Sequence, residues 1–269
     1  MKTKPRTQLF LGFFFLISLS VITSPAFAGE EDSLSIIPEQ RQLSFLIVPY
    51  KPMMHLSDAD NDLARYSEMN QQEVRNQLRL GLLKNLNTKL VMEYEVKIPD
   101  QDFVESDDRD LELIYNSLAF GEDTVYPLKA NSKKDSMHWK KKIFKAETPT
   151  KKTIDKTYIN VDFYDQHLLS DLATKYRSDY FIFLNELDIK TNFADCLDLA
   201  LKIYQRELKV HYSVFDRTGK QVFGDVAVVN FPSNSNDVDE IIASNFPGIS
   251  DHIISSVKEV TKSKPIVVQ

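Results

Sequence analysis

The distribution of apolar and polar residues predicts a buried strand followed by a long helix. The run Leu43–Tyr50 is almost continuously apolar and contains a proline near its end, which is typical of a strand buried on both faces. Asn70, with Glu73 three residues later, forms a capping-box pattern. A helix over Asn70–Val91 follows from the apolar residues at helical spacing. These residues are Val74, Leu78, Leu82, Leu83, Leu86 and Leu90.

The second half of the chain predicts a short helix, a strand and an antiparallel hairpin. Leu168, Leu172 and Tyr176 share one helix face, and Tyr180–Ile189 is strand-like. The hairpin has a turn at Asp216–Gly219. In its first strand, Leu208, Val210, Tyr212 and Val214 alternate with Lys209, His211 and Ser213. We therefore expect one buried face and one solvated face in that strand.

The return strand spans Lys220–Phe231, with Val222, Val226 and Val228 on one face. A final helix follows, which Lys264 and Pro265 end. Its apolar face comprises Ile249, Ile253, Val257 and Val260.

The composition changes between Pro99 and Thr157. An acidic stretch comes first, in which Ser106–Asp108 can cap a helix that carries Leu111, Tyr115 and Leu118. Lys129–Lys156 then holds ten lysines against three acids. We interpret Pro99–Thr157 as a helical and loop insertion with a basic arm. The sequence thus predicts one α+β domain with a mixed sheet, an antiparallel C-terminal hairpin and helices on one or both faces, in two or three layers.

The first 28 residues have the order of a cleaved signal peptide. Three basic residues precede the apolar run Leu9–Ile22, and Ala26 and Ala28 occupy the −3 and −1 positions of a cleavage site before Gly29. We expect a mature domain of residues 29–269 that is exported to the periplasm or outside the cell. Because no second long apolar stretch follows, we expect a soluble chain without a transmembrane segment.

Charge and composition exclude several classes of protein. Removing the three basic residues of the signal changes the formal net charge from −6 to −9, which argues against a nucleic-acid binder. The chain has only seven glycines and none of the glycine-rich nucleotide or nucleophile motifs, so we predict no cofactor. The lone Cys196 cannot form an internal disulfide, and we expect it to be a buried free thiol.

Asp58, Asp60 and Asp62 match the first three ligand positions of a calcium loop. However, Leu63 stands where the turn needs glycine, and Met69 stands where the bidentate acid is needed. We therefore interpret the segment as a solvated acidic loop and predict no metal.

The remaining chemistry-bearing residues form no recognisable active site. His167 and Asp171 lie four residues apart on a predicted helix without a third ligand, so we place them on its exposed face. His211 and His252 are likewise expected at the surface, the latter at the start of the last helix. We predict no catalytic residues, although a small hydrolase with a site built from dispersed residues remains an alternative.

The order of elements resembles a group of periplasmic envelope domains. This group includes the curli-secretion lipoprotein, the lipoprotein activator of penicillin-binding proteins and the amino-terminal domain of TolB. The resemblance is carried by Leu46–Tyr50, the helix Asn70–Val91, the segment Leu172–Ile182, the hairpin around Phe215–Lys220 and the closing helix. This chain lacks the group's lipid-bearing cysteine and any propeller or pore-forming extension. The resemblance implies a non-catalytic envelope adaptor.

We therefore expect a protein-binding adaptor or scaffold whose partner is another envelope protein. The basic arm gives a local positive charge on an acidic chain, which favours an acidic partner. The candidate partner-binding residues are Trp139, Lys140, Lys141 and Lys142. A binder of glycan or of another small ligand is a further alternative.

Overall fold

A computed structural model describes residues 41–99, 109–124 and 157–262, and these residues confirm the α+β class. Six strands form the main sheet: β1 (Ser44–Val48), β2 (His55–Ser57), β3 (Glu95–Lys97), β6 (Tyr180–Asp198), β7 (Ile203–Asp216) and β8 (Gln221–Pro232). Two strands form a separate antiparallel ribbon: β4 (Leu118–Thr124) and β5 (Thr157–Phe163). The helices are α1 (Asp60–Tyr66), α2 (Gln71–Leu90), α3 (Arg109–Asn116), α4 (Leu168–Tyr176) and α5 (Val238–Lys262).

The main sheet is mixed, with the order β3-β1-β6-β7-β8. β1 pairs in parallel with both β3 and β6, and β2 pairs in parallel with a later part of β6. β6, β7 and β8 are successively antiparallel, so the predicted hairpin across Asp216–Gly219 is confirmed. Gly219 has φ of +83°, a backbone conformation that favours glycine.

Both faces of the sheet are covered, which explains the uninterrupted apolar run in β1. Phe45 and Ile47 belong to the apolar core shared with α1, α2 and α5, whereas Leu46 and Val48 belong to a second core on the opposite face. That second core includes residues of α3, α4 and β5. The domain therefore has three layers, because successive side chains of a strand point to opposite faces.

Helix α2 has the predicted cap and the predicted buried stripe. The Asn70 side chain accepts a hydrogen bond from the Glu73 N–H (2.9 Å), and the Glu73 carboxylate accepts one from the Asn70 N–H (2.8 Å). All six predicted stripe residues are buried. The helix packs against α5 on the first face of the sheet.

Several predicted boundaries are wrong. Leu118 is not on a helix but is the first residue of β4. The last helix begins at Val238, and His252 therefore lies inside it rather than at its start. The predicted shared face of Val222, Val226 and Val228 on β8 is also wrong, because Val222 packs against the first core whereas Val226 and Val228 line the cavity on the other face.

None of the described helices is long and apolar enough to cross a membrane. The predicted signal (residues 1–28) and the predicted cap at Ser106–Asp108 lie outside the described residues.

Candidate functional site

A cavity of about 380 Å³ lies on the second face of the sheet, beneath the start of β5. Five strands contribute to its wall. The lining residues are Glu122, Thr157, Tyr158, Ile159, Glu186, Asp188, Lys190, Lys209, His211, Val226 and Val228. Polar and titratable groups dominate the part contributed by β6 and β7.

Strand alternation and one irregularity in β6 bring these groups to the same face. The register of β6 against β7 shifts between Leu184 and Glu186, so Asn185 is an extra residue in β6. Such a bulge turns the side chains that follow it. Glu186, Asp188 and Lys190 then alternate on the cavity face, while the intervening Leu187 and Ile189 enter the first core.

His211 is buried in the cavity wall, opposite Glu186 in the sheet register. The expectation that it lies on a solvated face is wrong, because β5 crosses this face and covers it. Its Nδ1 accepts a hydrogen bond from the Ile159 backbone N–H (2.9 Å). Burial lowers the pKa of His211 to about 4, so the ring is neutral at pH 7. Because Nδ1 is the acceptor, we assign the proton to Nε2, which lies 3.8 Å from Glu186 Oε1.

Glu186 and Asp188 are both more than nine-tenths buried. Burial, together with the neighbouring Asp188 charge, raises the pKa of Glu186. Asp188 Oδ2 accepts a hydrogen bond from Lys190 Nζ (2.9 Å), and this bond raises the pKa of Lys190. The other oxygen of Asp188, Oδ1, is buried without a hydrogen-bond partner. A buried acceptor of this kind is expected to bind a donor.

A network of neutral side chains beside the cavity fixes β5 to the sheet. Ser213 Oγ donates to Asn160 Oδ1 (2.6 Å), and the Asn185 amide donates to Ser213 Oγ (2.8 Å) and to the Ile159 carbonyl (2.7 Å). The Tyr158 hydroxyl lies directly over Gly224, where an added methyl group would overlap it. Only glycine allows this close approach. The network therefore explains why Ser213 is also buried rather than solvated.

Ser213 and His211 are not arranged as a nucleophile and its base. Ser213 donates its hydroxyl proton to an amide oxygen, and the basic nitrogen of His211 already accepts the Ile159 N–H. Neither group is therefore set up for the proton transfer that activates a serine. Within residues 41–99, 109–124 and 157–262, no three potential ligands are grouped to hold a metal ion.

The prediction of a solvated acidic loop is only partly right: Asp58 and Asp62 are exposed, but Asp60 is buried and helix α1 begins there. Asp58 accepts hydrogen bonds from Thr191 N (2.8 Å) and Oγ1 (3.1 Å). Asp62 pairs with the buried Arg206 at 2.8 Å. Asp60 is buried in the first turn of α1. Asp60 and Asp62 thus join α1 to other elements, and Asp58 joins the residues before α1 to β6.

Asp60 forms the centre of a buried polar cluster. It lies 3.0 Å from His55 Nε2 and accepts a hydrogen bond from Arg75 Nε at 2.7 Å. The other ring nitrogen of His55 lies 3.3 Å from the Tyr50 hydroxyl, whose pKa burial raises. Burial acts to raise the pKa of Asp60 as well, but the bonds from His55 and Arg75 outweigh it and lower that pKa. Each group here has a partner, which is typical of a structural cluster.

The end of the β6–β7 hairpin exposes four large apolar side chains within eleven residues. Phe193, Leu197, Leu199 and Leu201 are 71%, 52%, 82% and 70% exposed. We call residues 193–203 the hairpin tip. Cys196 lies in this tip and is exposed, so the expectation of a buried thiol is wrong.

The other predicted sites lie at the surface or outside the described residues. His167 and Asp171 are exposed on α4, as predicted. His252 is exposed, as predicted, and pairs with Asp225 at 2.9 Å. The predicted partner-binding residues Trp139, Lys140, Lys141 and Lys142 lie outside the described residues, as does the predicted cleavage site between Ala28 and Gly29.

The cavity residues do have a signal in the sequence, although the predicted sites do not include them. Glu186, Asp188 and Lys190 alternate with apolar residues at the end of a strongly apolar strand. Charged residues at every second position of a buried strand indicate a polar site on one face.

The described residues form an α+β fold with a polar recess on one sheet face and a hairpin that exposes apolar side chains. A scan against protein-family models finds no match for this chain, and a search of curated proteins finds none either.

Proposed function

We propose that the protein is an exported, non-catalytic adaptor of the cell envelope that binds another envelope protein through the hairpin tip. The observation that carries this proposal is the set of large apolar side chains exposed in the tip. Exposed apolar clusters on a folded domain are typical of protein-binding surfaces. The order of elements and the signal-like first 28 residues support the envelope as the compartment.

The tip extends beyond the strands that flank it in the sheet. The ladder between β2 and β6 reaches Ile189, and the ladder between β7 and β8 begins at Gln205. Within the described residues, the strand segments of the tip therefore pair only within the β6–β7 hairpin itself. The backbone edges of such a hairpin can also bond to a strand of a partner.

The side chains of the tip favour a protein partner with an apolar contact surface. Phe193 contacts the Tyr204 ring at 5.2 Å between centroids, in an edge-to-face arrangement that leaves most of Phe193 exposed. Asp195, Asp198 and Lys202 are the charged residues of the tip. This composition, an apolar centre with a few charges, is typical of a binding interface.

Affinity capture with matched variants tests the proposal. The double substitution Leu199→Ser and Leu201→Ser removes apolar side chains that contribute nothing to the core, so the fold and melting temperature should not change. Captured partners quantified by mass spectrometry should fall about tenfold or more, as expected for loss of interface anchors. Met92→Ser, at a residue that is 77% exposed outside the tip, is the control and should retain them. An unchanged set of partners for the double variant would contradict the proposal.

The basic arm is the second candidate contact, and the same experiment examines it separately. Lys140, Lys141 and Lys142 are replaced by glutamate and Trp139 by alanine. If the arm binds an acidic surface, the loss should be larger at low salt than at moderate salt, because screening weakens the attraction. Equal capture by the variant and the wild type at both salt concentrations would assign binding to the hairpin tip alone.

A further inference from the structure

We propose that the cavity on the second face binds a primary alkylammonium group, with Glu186 as its counter-ion. This inference is independent of the adaptor proposal, because the hairpin tip contributes no residue to the cavity. Two kinds of ligand carry such a group: a free small amine, and a polypeptide that presents the side chain of a lysine.

Each lysine of the cavity is paired with a carboxylate other than Glu186. Lys190 is bonded to Asp188, and Lys209 pairs with Glu207 at 2.5 Å. The nearest other cationic candidate is His211, which is neutral at pH 7. Glu186 lines the cavity and is only 7% exposed. It nevertheless has no hydrogen bond within the described residues. A largely buried carboxylate without a hydrogen-bonded partner is costly, and a bound cation would offset that cost.

A second observation is the unpartnered oxygen of Asp188. Oδ1 is buried and accepts no hydrogen bond, while Oδ2 binds Lys190. Asp188 and Glu186 are two residues apart on the same face of β6. An ammonium group carries three donors, so it can serve more than one carboxylate oxygen.

The wall of the cavity favours an organic cation over a metal ion or an anion. The described residues provide no group of three metal ligands, and Nε2 of His211 carries the proton in the tautomer assigned above. Both lysines of the cavity are already paired, so a phosphate would face Glu186 without a free cation. Val226 and Val228 provide an apolar wall for the alkyl chain of an amine.

NMR titration tests the proposal on the intact mature chain. The probes are n-butylammonium, Nα-acetyl-lysine methylamide and, as the uncharged control, n-butanol. We expect saturable shifts of the Ile159 amide and the His211 ring with the two cations and none with n-butanol. A preference for the lysine derivative would indicate a polypeptide ligand, and a preference for butylammonium a free amine. Equal shifts with n-butanol, or none with either cation, would overturn the proposal.

Matched variants identify the counter-ion. Glu186→Gln should weaken binding of the preferred cation by about tenfold or more, which corresponds to ~1.4 kcal/mol. Glu112→Gln makes the same charge change on the exposed face of α3, outside the cavity, and should leave the affinity unchanged. Equal affinities of the wild type and Glu186→Gln would refute the role of Glu186. Should Glu186→Gln not fold, the comparison of charged and uncharged probes on the wild type still decides the proposal.

Discussion

At the scale of single residues, burial by distant elements changes the chemistry that the local sequence indicates. His211 alternates with Val210 and Tyr212, so the sequence places it on the side of β7 opposite the core. That placement is right, but the sequence does not reveal that β5 covers the same side. Asp60 is similar, because its partner Arg75 comes from the next helix. Tertiary contacts of this kind are not encoded in local periodicity.

The lowered pKa of His211 predicts a specific dependence of stability on pH. The folded pKa is about 4, whereas an unfolded histidine titrates near its ordinary value of 6.5. Between these two pH values the unfolded chain binds more protons at this histidine than the folded chain does. The contribution of His211 to stability is therefore complete above about pH 6.5 and falls toward pH 4. The loss due to this group should reach about 3 kcal/mol. His211→Asn should reduce the slope of unfolding free energy against pH over this range.

Urea unfolding at pH 4, 5, 6 and 7 measures this slope. Because the raised pKa of Glu186 acts in the opposite direction, the comparison is repeated in a Glu186→Gln background. The exposed His167→Asn provides the control and should keep the slope of the wild type. Identical slopes for His211→Asn and the wild type would show that His211 is not held neutral in the folded protein.

At the scale of elements, regular segments could be predicted and irregular ones could not. The capping box and leucine spacing of α2 lie within one segment, so the sequence predicts its start and its buried face. The buried strand β1 and the β7–β8 hairpin are predicted for the same reason. The bulge at Asn185 and the length of β6 beyond Ile189 depend on pairing with β7. The sequence does not predict the helical residues before Ile249, because Pro247 interrupts the helical spacing of apolar residues.

The buried face of α2 predicts a large effect of truncation at its centre. Leu82 is fully buried in the first core, where α2 packs on the sheet and α5. Leu82→Ala should lower the free energy of unfolding by about 2–5 kcal/mol, because it leaves a cavity in that core. Leu80→Ala on the same helix, at a residue that is 40% exposed, should change it by less than about 0.5 kcal/mol. Denaturant unfolding measures both, and similar values for the two variants would contradict this packing.

At the scale of the whole molecule, the α+β class follows from the order of elements, whereas the choice of three layers over two and the candidate site do not. The cavity draws residues from β4 to β8, which are separated by more than one hundred positions along the chain. These residues come together because the ribbon β4–β5 crosses the main sheet. The sequence predicts the segment Pro99–Thr157, which contains β4, only as an insertion. The hairpin tip was missed because its apolar residues resemble those of a core.

The signal-like segment predicts a mature protein that begins at Gly29. Basic residues, the apolar run Leu9–Ile22 and the small residues Ala26 and Ala28 occur in the order that a signal peptidase requires. In a Gram-negative host, the full chain with a C-terminal tag should accumulate in the periplasm, and its intact mass should correspond to residues 29–269 plus the tag. Ala28→Arg places a large charged residue at the −1 position and should leave the precursor uncleaved. Recovery of the wild-type protein from the periplasm with residues 1–28 intact would contradict the cleavage site, and its retention in the cytoplasm would contradict export.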